Sequence, residues 1–304
     1  MGDNKPLNVL ITGGAGYVGR VLLNTAPSNW KLNVIDNVYG GNSDYSPNEN
    51  VDFVKGDIRN NDLTEKLVLR NDVVIHLAGI VGDSCPKNLT ISSQINVNAT
   101  ENLALLCKKH NRHLIFMSTC SVYGFNQEIC TEQTKLNPVI EYGDHKVLGE
   151  KCIMNTMDDS LIFRMGSVYG WSPRMRFDLA INLFIEKSLW NEPIQVFGGE
   201  QWRPFIHVKD VANALIMAAN SPEIKGILNL VTENHPIIEL AKEITDNVVV
   251  LKHKIDNRSY KVDNTAIKQR LGWKPLMNIK NAISEFKKVD YKNKIYYNRQ
   301  WDYS

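Results

Sequence analysis

The chain has 304 residues, with 35 Lys and Arg against 33 Asp and Glu for a formal charge of +2, and it is 43% hydrophobic and 22% charged. That composition belongs to a folded protein with a sizeable core rather than a disordered chain, and it argues against a polyanion-binding surface, which would need basic residues massed on one face. The five cysteines (Cys85, Cys107, Cys120, Cys130, Cys152) show no CxxC or Cys/His ligand spacing, and no segment approaches the roughly 18 apolar residues of a membrane span. The expectations are no metal, no membrane, no nucleic acid and a reducing cytoplasm.

Short β-branched and apolar runs recur in chain order at 7–12, 31–36, 51–57, 72–79, 113–119 and 161–168, with helical patterns between them at 16–25, 61–69, 89–110 and 142–157. This alternation predicts an α/β protein, a doubly wound parallel sheet of the Rossmann kind with helices on both faces. After about residue 170 six prolines punctuate shorter elements, and 207–220 reads as an amphipathic helix capped by Asp210 or a neighbour. The predicted division is a dinucleotide domain over 1–170 with a return segment at about 204–221. A smaller C-terminal α+β substrate-binding lobe takes 171–203 and 222–304. The polar, aromatic end from 287 onward receives no function.

The stretch "VLITGGAGYVGR" sets Gly13, Gly16 and Gly19 between a predicted strand and a predicted helix, with Tyr17 and Val18 opening the helix. Glycines at such a turn let backbone approach a pyrophosphate, and the helix N-terminus supplies N–H donors and partial positive charge. The next strand ends in Asp36, followed by Asn37, about twenty residues on, where a carboxylate accepts the adenosine ribose hydroxyls and repels a 2′-phosphate. NAD is therefore expected rather than NADP. "GDIRN" places Asp57 and Ile58 at the adenine edge. "HLAG" places Leu77, Ala78 and Gly79 where small residues admit a cofactor. In "EYGDHKVLGE", Tyr142 and Lys146 lie one helical turn apart on one face.

These stretches, together with "NVNAT" (96–100), "MSTCSVYG" (117–124), "RMGSVYG" (164–170), "WRPFIHVKDVA" (202–212) and "LGWKP" (271–275), resemble in order the extended short-chain dehydrogenase/reductase family. The resemblance is strongest to its NAD-dependent nucleotide-sugar epimerases and dehydratases, and it covers nearly the whole chain. It implies that Tyr142, as phenolate, takes a proton from a sugar hydroxyl while hydride leaves for nicotinamide. Lys146 stabilises that phenolate and binds the nicotinamide ribose, and Thr119 orients the reacting oxygen. By the same resemblance Asn96 supports cofactor and lysine, while Ser118 and Tyr169 neighbour the nicotinamide. Arg203 and Arg258 hold a substrate diphosphate, and Asn182, Ser167 and Arg176 are further substrate contacts, Arg174 and Arg176 lining the sugar-nucleotide cleft. A homodimer pairing helices 89–110 and 142–157 is implied too.

Three departures qualify the resemblance. The dehydratase branch carries an acidic pair after the threonine, and here those positions are Cys120 and Ser121; Glu141 is the substitute acid to consider. Ser167 stands where the family has asparagine. Cys120 is either a proton donor or a packed thiol, and packing is expected, as it is for His145 and His207. The sequence therefore predicts an NAD-dependent enzyme acting at C4 of a nucleoside-diphosphate sugar, as a 4-epimerase or as a 4-dehydrogenase, for example of a GDP-linked sugar. Its rivals are a 4,6-dehydratase, a 4-ketoreductase and a non-catalytic dinucleotide-binding regulatory protein.

Overall fold

Alternate residues of the first strand settle how the chain layers. In Leu7–Thr12 (β1), Val9 and Ile11 are wholly buried on one face and Leu10 on the other, so the strand must lie inside a sheet covered on both sides. The computed structural model describes residues 6–39, 49–82, 89–251 and 258–289; Cys85 and the polar end from 290 onward lie outside the described residues.

Helix Tyr17–Thr25 (α1) follows β1, then Trp30–Asp36 (β2), Val51–Lys55 (β3), Asn61–Leu69 (α2) and Val73–His76 (β4). Leu89–Ser93 (α3) runs through a π-helical turn at Gln94–Asn98 into Ala99–Lys109 (α4), then His113–Thr119 (β5) and Phe125–Cys130 (β6). Glu141–Thr156 (α5) leads to Ser160–Met165 (β7) and Ser167–Tyr169 (β8). The remainder comprises Ala180–Leu189 (α6), Ile194–Phe197 (β9), Trp202–His207 (β10), Val208–Ala219 (α7), Gly226–Leu230 (β11) and Glu233–Pro236 (β12). Ile237–Ile244 (α8), Val248–Leu251 (β13), Ser259–Val262 (β14), Thr265–Leu271 (α9) and Ile279–Lys288 (α10) complete it.

The large sheet has seven parallel strands in the order β11-β7-β5-β4-β1-β2-β3. The order reverses between β1 and β4, and the diverging connections open a crevice at their carboxyl ends. On one face Val9, Ile11, Ile115 and Phe163 meet Leu22 of α1 and Val211 and Leu215 of α7. On the other, Leu10, Val74, Phe116 and Ile162 meet Leu103 and Cys107 of α4 and Ile153 of α5. Each such side chain contributes about 1.5–3 kcal/mol when fully buried.

The second half returns to this sheet further along the chain than 204–221. Helix α7 covers the sheet beside α1, and β11 then adds the seventh strand against β7. The smaller sheets are β12-β10-β8, β13-β9 and β14-β6. His207, not Asp210, caps α7 by accepting from the Lys209 N–H at 3.2 Å. Asp210 instead accepts the Leu276 and Met277 N–H groups at 2.9 and 3.1 Å, pinning the loop after "LGWKP".

Glu285 of α10 ties the chain's last described helix to the β10–α7 junction and to Trp171. It takes His207 Nε2 at 3.1 Å, the ammonium of Lys209 and the Trp171 N–H at 3.3 Å. Burial raises this carboxyl, but hydrogen bonds and charge from His207 and Lys209 outweigh burial and bring it down to about 2. A depressed carboxyl stabilises the fold above its ordinary value of 4.5, and that contribution is lost as pH falls toward 2. Glu285→Gln should cost about 1–3 kcal/mol in urea unfolding at pH 7. The gap from wild type should narrow as pH drops below 4.5.

Candidate active site

Gly13 must be glycine for two reasons. Its φ is +73°, and a Cβ there would lie 2.6 Å from the Ala78 backbone nitrogen, so the β1–α1 turn touches the end of β4 without intervening side chains. The α1 N-terminus that follows has Gly16 as its cap and no side-chain capping bond, leaving N–H groups directed at the crevice. Gly13, Gly16, Tyr17 and Val18 all line one cavity of about 530 Å³. Asp36 closes its far end, accepting the Ala15 N–H at 3.0 Å and the Val38 N–H at 2.7 Å. Burial pushes this carboxyl up; the two N–H groups, and Arg174 and Arg20 nearby, pull it back.

Asn37, Asp57, Ile58, Leu77, Ala78 and Gly79 share the same wall. Asp57 is held by Arg59, whose Nη1 also reaches Gln94 Oε1 at 3.0 Å. The loop after β4 is fixed from behind by Asn96, which accepts the Ile80 N–H and donates to the Ile80 carbonyl, both at 2.8 Å. Beneath it His76 bridges Thr12 (2.7 Å) and Thr100 (3.0 Å), and burial brings its imidazole down to about 3, so it stays neutral.

At the other end the walls include Thr119, Ser121, Tyr142, Lys146 and Ser167, with Arg176 and Arg258 from the second half. Lys146 is 4% exposed, donates to the Met117 carbonyl at 2.8 Å, and sits 4.6 Å from the centre of the Phe116 ring and 5.9 Å from that of Tyr142. Burial brings its ammonium down to about 8, with the Glu150 carboxylate working against that fall. Thr119 Oγ1 accepts the Ser121 N–H at 3.1 Å, which turns the chain away from the sheet at the cavity mouth.

Besides Asn96, four more expected site residues stand behind the wall. Ser118 donates to Glu150, because in a strand its side chain points opposite to those of Met117 and Thr119, which line the cavity. Tyr169 is fully buried with its ring edge-on to His207. Asn182 spends its amide on the Gly170 N–H, the Tyr17 hydroxyl and the Arg176 carbonyl. Arg203 packs over Tyr260 and donates to the carbonyls of Trp202 and Arg258. These residues position neighbours of the site and do not line it.

The structure also brings in residues that local patterns did not mark, among them Arg59, Val81, Ile140, Met165 and Leu179. Arg174, expected at the sugar end, lines the cavity close enough to Asp36 to act on its charge, which puts it at the dinucleotide end. Cys120 is 1% exposed, donates to the Arg164 carbonyl at 3.2 Å, and burial pushes its thiol well above the ordinary range. It is a packed thiol. Glu141 stands beside His145 at 3.6 Å and is not part of the cavity wall, so it offers no substitute acid.

A parallel sheet with its switch point at a glycine turn, a carboxylate at the next strand end and a Tyr/Lys/Thr set on the facing wall define an NAD-dependent enzyme of the extended short-chain dehydrogenase/reductase type. The model of the NAD dependent epimerase/dehydratase family matches residues 9–230, and the chain belongs to that family. It is 31% identical over 300 residues to a Methanocaldococcus jannaschii protein assigned as a UDP-glucose 4-epimerase, covering 90% of this chain and 95% of the relative. Among solved structures it resembles the UDP-N-acetylglucosamine 4-epimerase of Methanobrevibacter ruminantium in complex with UDP-N-acetylmuramic acid, with 27% identity, TM-score 0.83, and 93% and 99% of the two chains covered. It is also similar to the UDP-glucuronic acid 4-epimerase of Bacillus cereus in complex with UDP-glucuronic acid and NAD, with 26% identity, TM-score 0.80, and 92% and 97% covered.

Because a Cβ at position 13 would overlap the Ala78 backbone, Gly13→Ala should weaken NAD binding at least tenfold by calorimetry or fluorescence titration. Unfolding should shift to lower urea as well, since the overlap is with backbone and the φ of +73° is strained for alanine.

Proposed function

We propose that this enzyme interconverts nucleoside-diphosphate sugars differing at C4 of the hexose, with a UDP-sugar as substrate. The observation that carries the reading is the placement of Thr119, Tyr142 and Lys146 on the wall of the same cavity that holds the glycine turn and Asp36. NAD, when bound, accepts and returns the hydride. Tyr142 takes the proton from the sugar hydroxyl and gives it back, Thr119 orients that oxygen, and the ammonium of Lys146 favours the phenolate through its positive charge. The backbone of the β1–α1 turn and α1 holds the cofactor diphosphate; Asp36 holds the adenosine ribose. Arg258 and Arg176 supply cationic contact to the substrate diphosphate, with Ser167 nearer the sugar.

Dehydration is disfavoured by the burial of Cys120 and the placement of Glu141, since removal of water needs an acid and a base facing the sugar. The large-sheet half, 1–170 with the return through α7 and β11, serves the dinucleotide, and the remainder serves the sugar nucleotide. The relatives named above act on or bind UDP-sugars by their names, which supports uridine as the base. No helix among the described residues is long and apolar enough to cross a membrane, and Cys107, Cys120, Cys130 and Cys152 are free, which suits a cytoplasmic enzyme of carbohydrate biosynthesis. Leu105 of α4 and Leu148 and Met154 of α5 are 52%, 45% and 43% exposed on two helices that pack together, which supports a homodimer formed across them.

The test is incubation with UDP-, GDP-, dTDP- and CDP-sugars, following product by NMR and NADH by absorbance. A C4 epimer without net NADH is expected from a UDP-sugar; a 6-deoxy-4-keto product, or no turnover of any sugar, would refute the reading. Tyr142→Phe should lower kcat at least about a hundredfold while the NAD dissociation constant stays within a few-fold. Light scattering should give twice the 34.5 kDa chain mass, and Leu148→Glu should return it to one.

A further inference from the structure

Directly behind Lys146 lies a buried ion pair that the reaction does not use. Glu150, one turn further along α5, is 0% exposed and Arg164 of β7 is 3% exposed. The guanidinium grips both carboxylate oxygens, with Nη2 to Oε2 at 2.7 Å and Nε to Oε1 and Oε2 at 3.1 and 3.2 Å. Ser118 donates to Oε1 from the neighbouring strand. Arg164 in turn reaches the Tyr123 hydroxyl at 3.1 Å and the Glu132 carbonyl at 3.0 Å. Tyr123 donates to Asn229 Oδ1 at 2.6 Å. The pair therefore cannot swing; both charges stay where the sheet puts them.

For stability alone this is a poor arrangement. Desolvating two charges costs about as much as their attraction returns, and apolar residues of similar volume commonly do as well or better. The location is what distinguishes it. Glu150 is four residues after Lys146, so both carbons leave the same face of α5, and Lys146 sits in surroundings too dry to screen it.

We propose that the Glu150–Arg164 pair is a positioning device that sets the electrostatic field at Lys146, Glu150 holding the ammonium charged and Arg164 limiting how strongly it does so. The proposal rests on the reading of Lys146 given above. Among the described residues, each element packed round the ammonium leaves Glu150 as its source of negative charge. On α5 the other neighbour is the Tyr142 ring. Strand β5 offers the Met117 carbonyl and the Phe116 ring face. On β4, His76 is kept neutral by burial. The π-helical turn contributes Asn96, an uncharged amide, and β7 contributes Arg164 by way of Glu150. The direction matches the upward pull of Glu150 on Lys146 against burial.

The experiment is an NMR titration of 13C-lysine in the ligand-free protein, the Lys146 resonance assigned by its loss in Lys146→Arg, with wild type expected to titrate at about 8. Glu150→Gln should lower the midpoint by about one pH unit, because Arg164 then acts unopposed. The double variant Glu150→Gln/Arg164→Met, which leaves no orphaned charge and so survives if the single variant does not fold, should titrate between the two. A midpoint in either variant at or above the wild-type value overturns the proposal, whatever stability is lost, since a merely structural pair would move unfolding and not this titration. If midpoints move as expected while Lys146→Met retains turnover, the field-setting role stands and the catalytic reading of Lys146 falls. If Lys146→Met abolishes turnover while the midpoints stay still, the reverse holds.

Discussion

A lysine ammonium taken out of water is the constraint around which this half of the molecule is arranged. Lys146 is 4% exposed, and a lone cation at that depth would shed its proton rather than remain charged. It is retained by fixed partners: a carbonyl at the end of β5, the face of Phe116 and a carboxylate one turn on. Assembling those partners requires α5 to lie very close across the sheet end. Gly149 permits this, since a Cβ there would already come within 3.2 Å of the Phe116 ring and 3.4 Å of the Asn96 carbonyl. Close approach, burial of the cation and aim of the side chain into the cavity are thus one packing decision.

The same geometry explains what was legible in the sequence. Parallel strands covered on both faces leave continuous apolar runs, so "NVLI" and "LIFM" announced β1 and β5 to the residue, "VVIH" announced β4 though the run at 72–79 overran its end by three residues, and helical spacing announced the Tyr142/Lys146 pair. The glycine turn and Asp36 were legible because dinucleotide binding is confined to one strand–turn–helix and the next strand end. The small sheets were not. Strand β6 pairs with β14, about 130 residues later, and "FNQEIC" has four exposed residues of six, so neither run length nor burial pattern marks it. The direction of side chains was legible in principle and easily overlooked. Ser118 lies between Met117 and Thr119, so strand alternation alone turns it from the cofactor toward α5. Asn182 and Tyr169 carry no such local signal, because what consumes them is tertiary contact.

The two halves are joined at the start of α1, beside the cavity. The Tyr17 hydroxyl donates to the Gly170 carbonyl at 2.5 Å, Asn182 donates to that hydroxyl at 3.1 Å, and Ser172 donates to the Tyr17 carbonyl at 2.7 Å. The helix whose N-terminus faces the dinucleotide is thereby hydrogen-bonded to the first residues of the second lobe. Arg174 follows and reaches the region of Asp36, while Arg176, two residues on, lines the cavity near Tyr142 and pairs with Asp178. One extended segment thus runs from the adenosine end to the reacting end of the cavity.

That coupling bears on how a single tyrosine could serve both directions of the proposed C4 inversion. Hydride would leave from one face of the carbon and return to the other, and the proton would leave and return at the same hydroxyl oxygen, while the base and cofactor walls stay in place. The protein therefore has to hold the diphosphate firmly and the hexose loosely. The walls divide in that sense. Arg176 and Arg258 line the cavity from the second-lobe side and can meet an anion, while the lining also includes Gly82, Ser121, Gly166 and Ser167. These four are short side chains that leave room for a ring to turn and offer few groups to fix one orientation. Ser167 in place of the family's asparagine enlarges that room by the difference between a hydroxymethyl and a carboxamide. Rigid ends and a spacious middle are what a reaction with two mirror-related halves demands of its container.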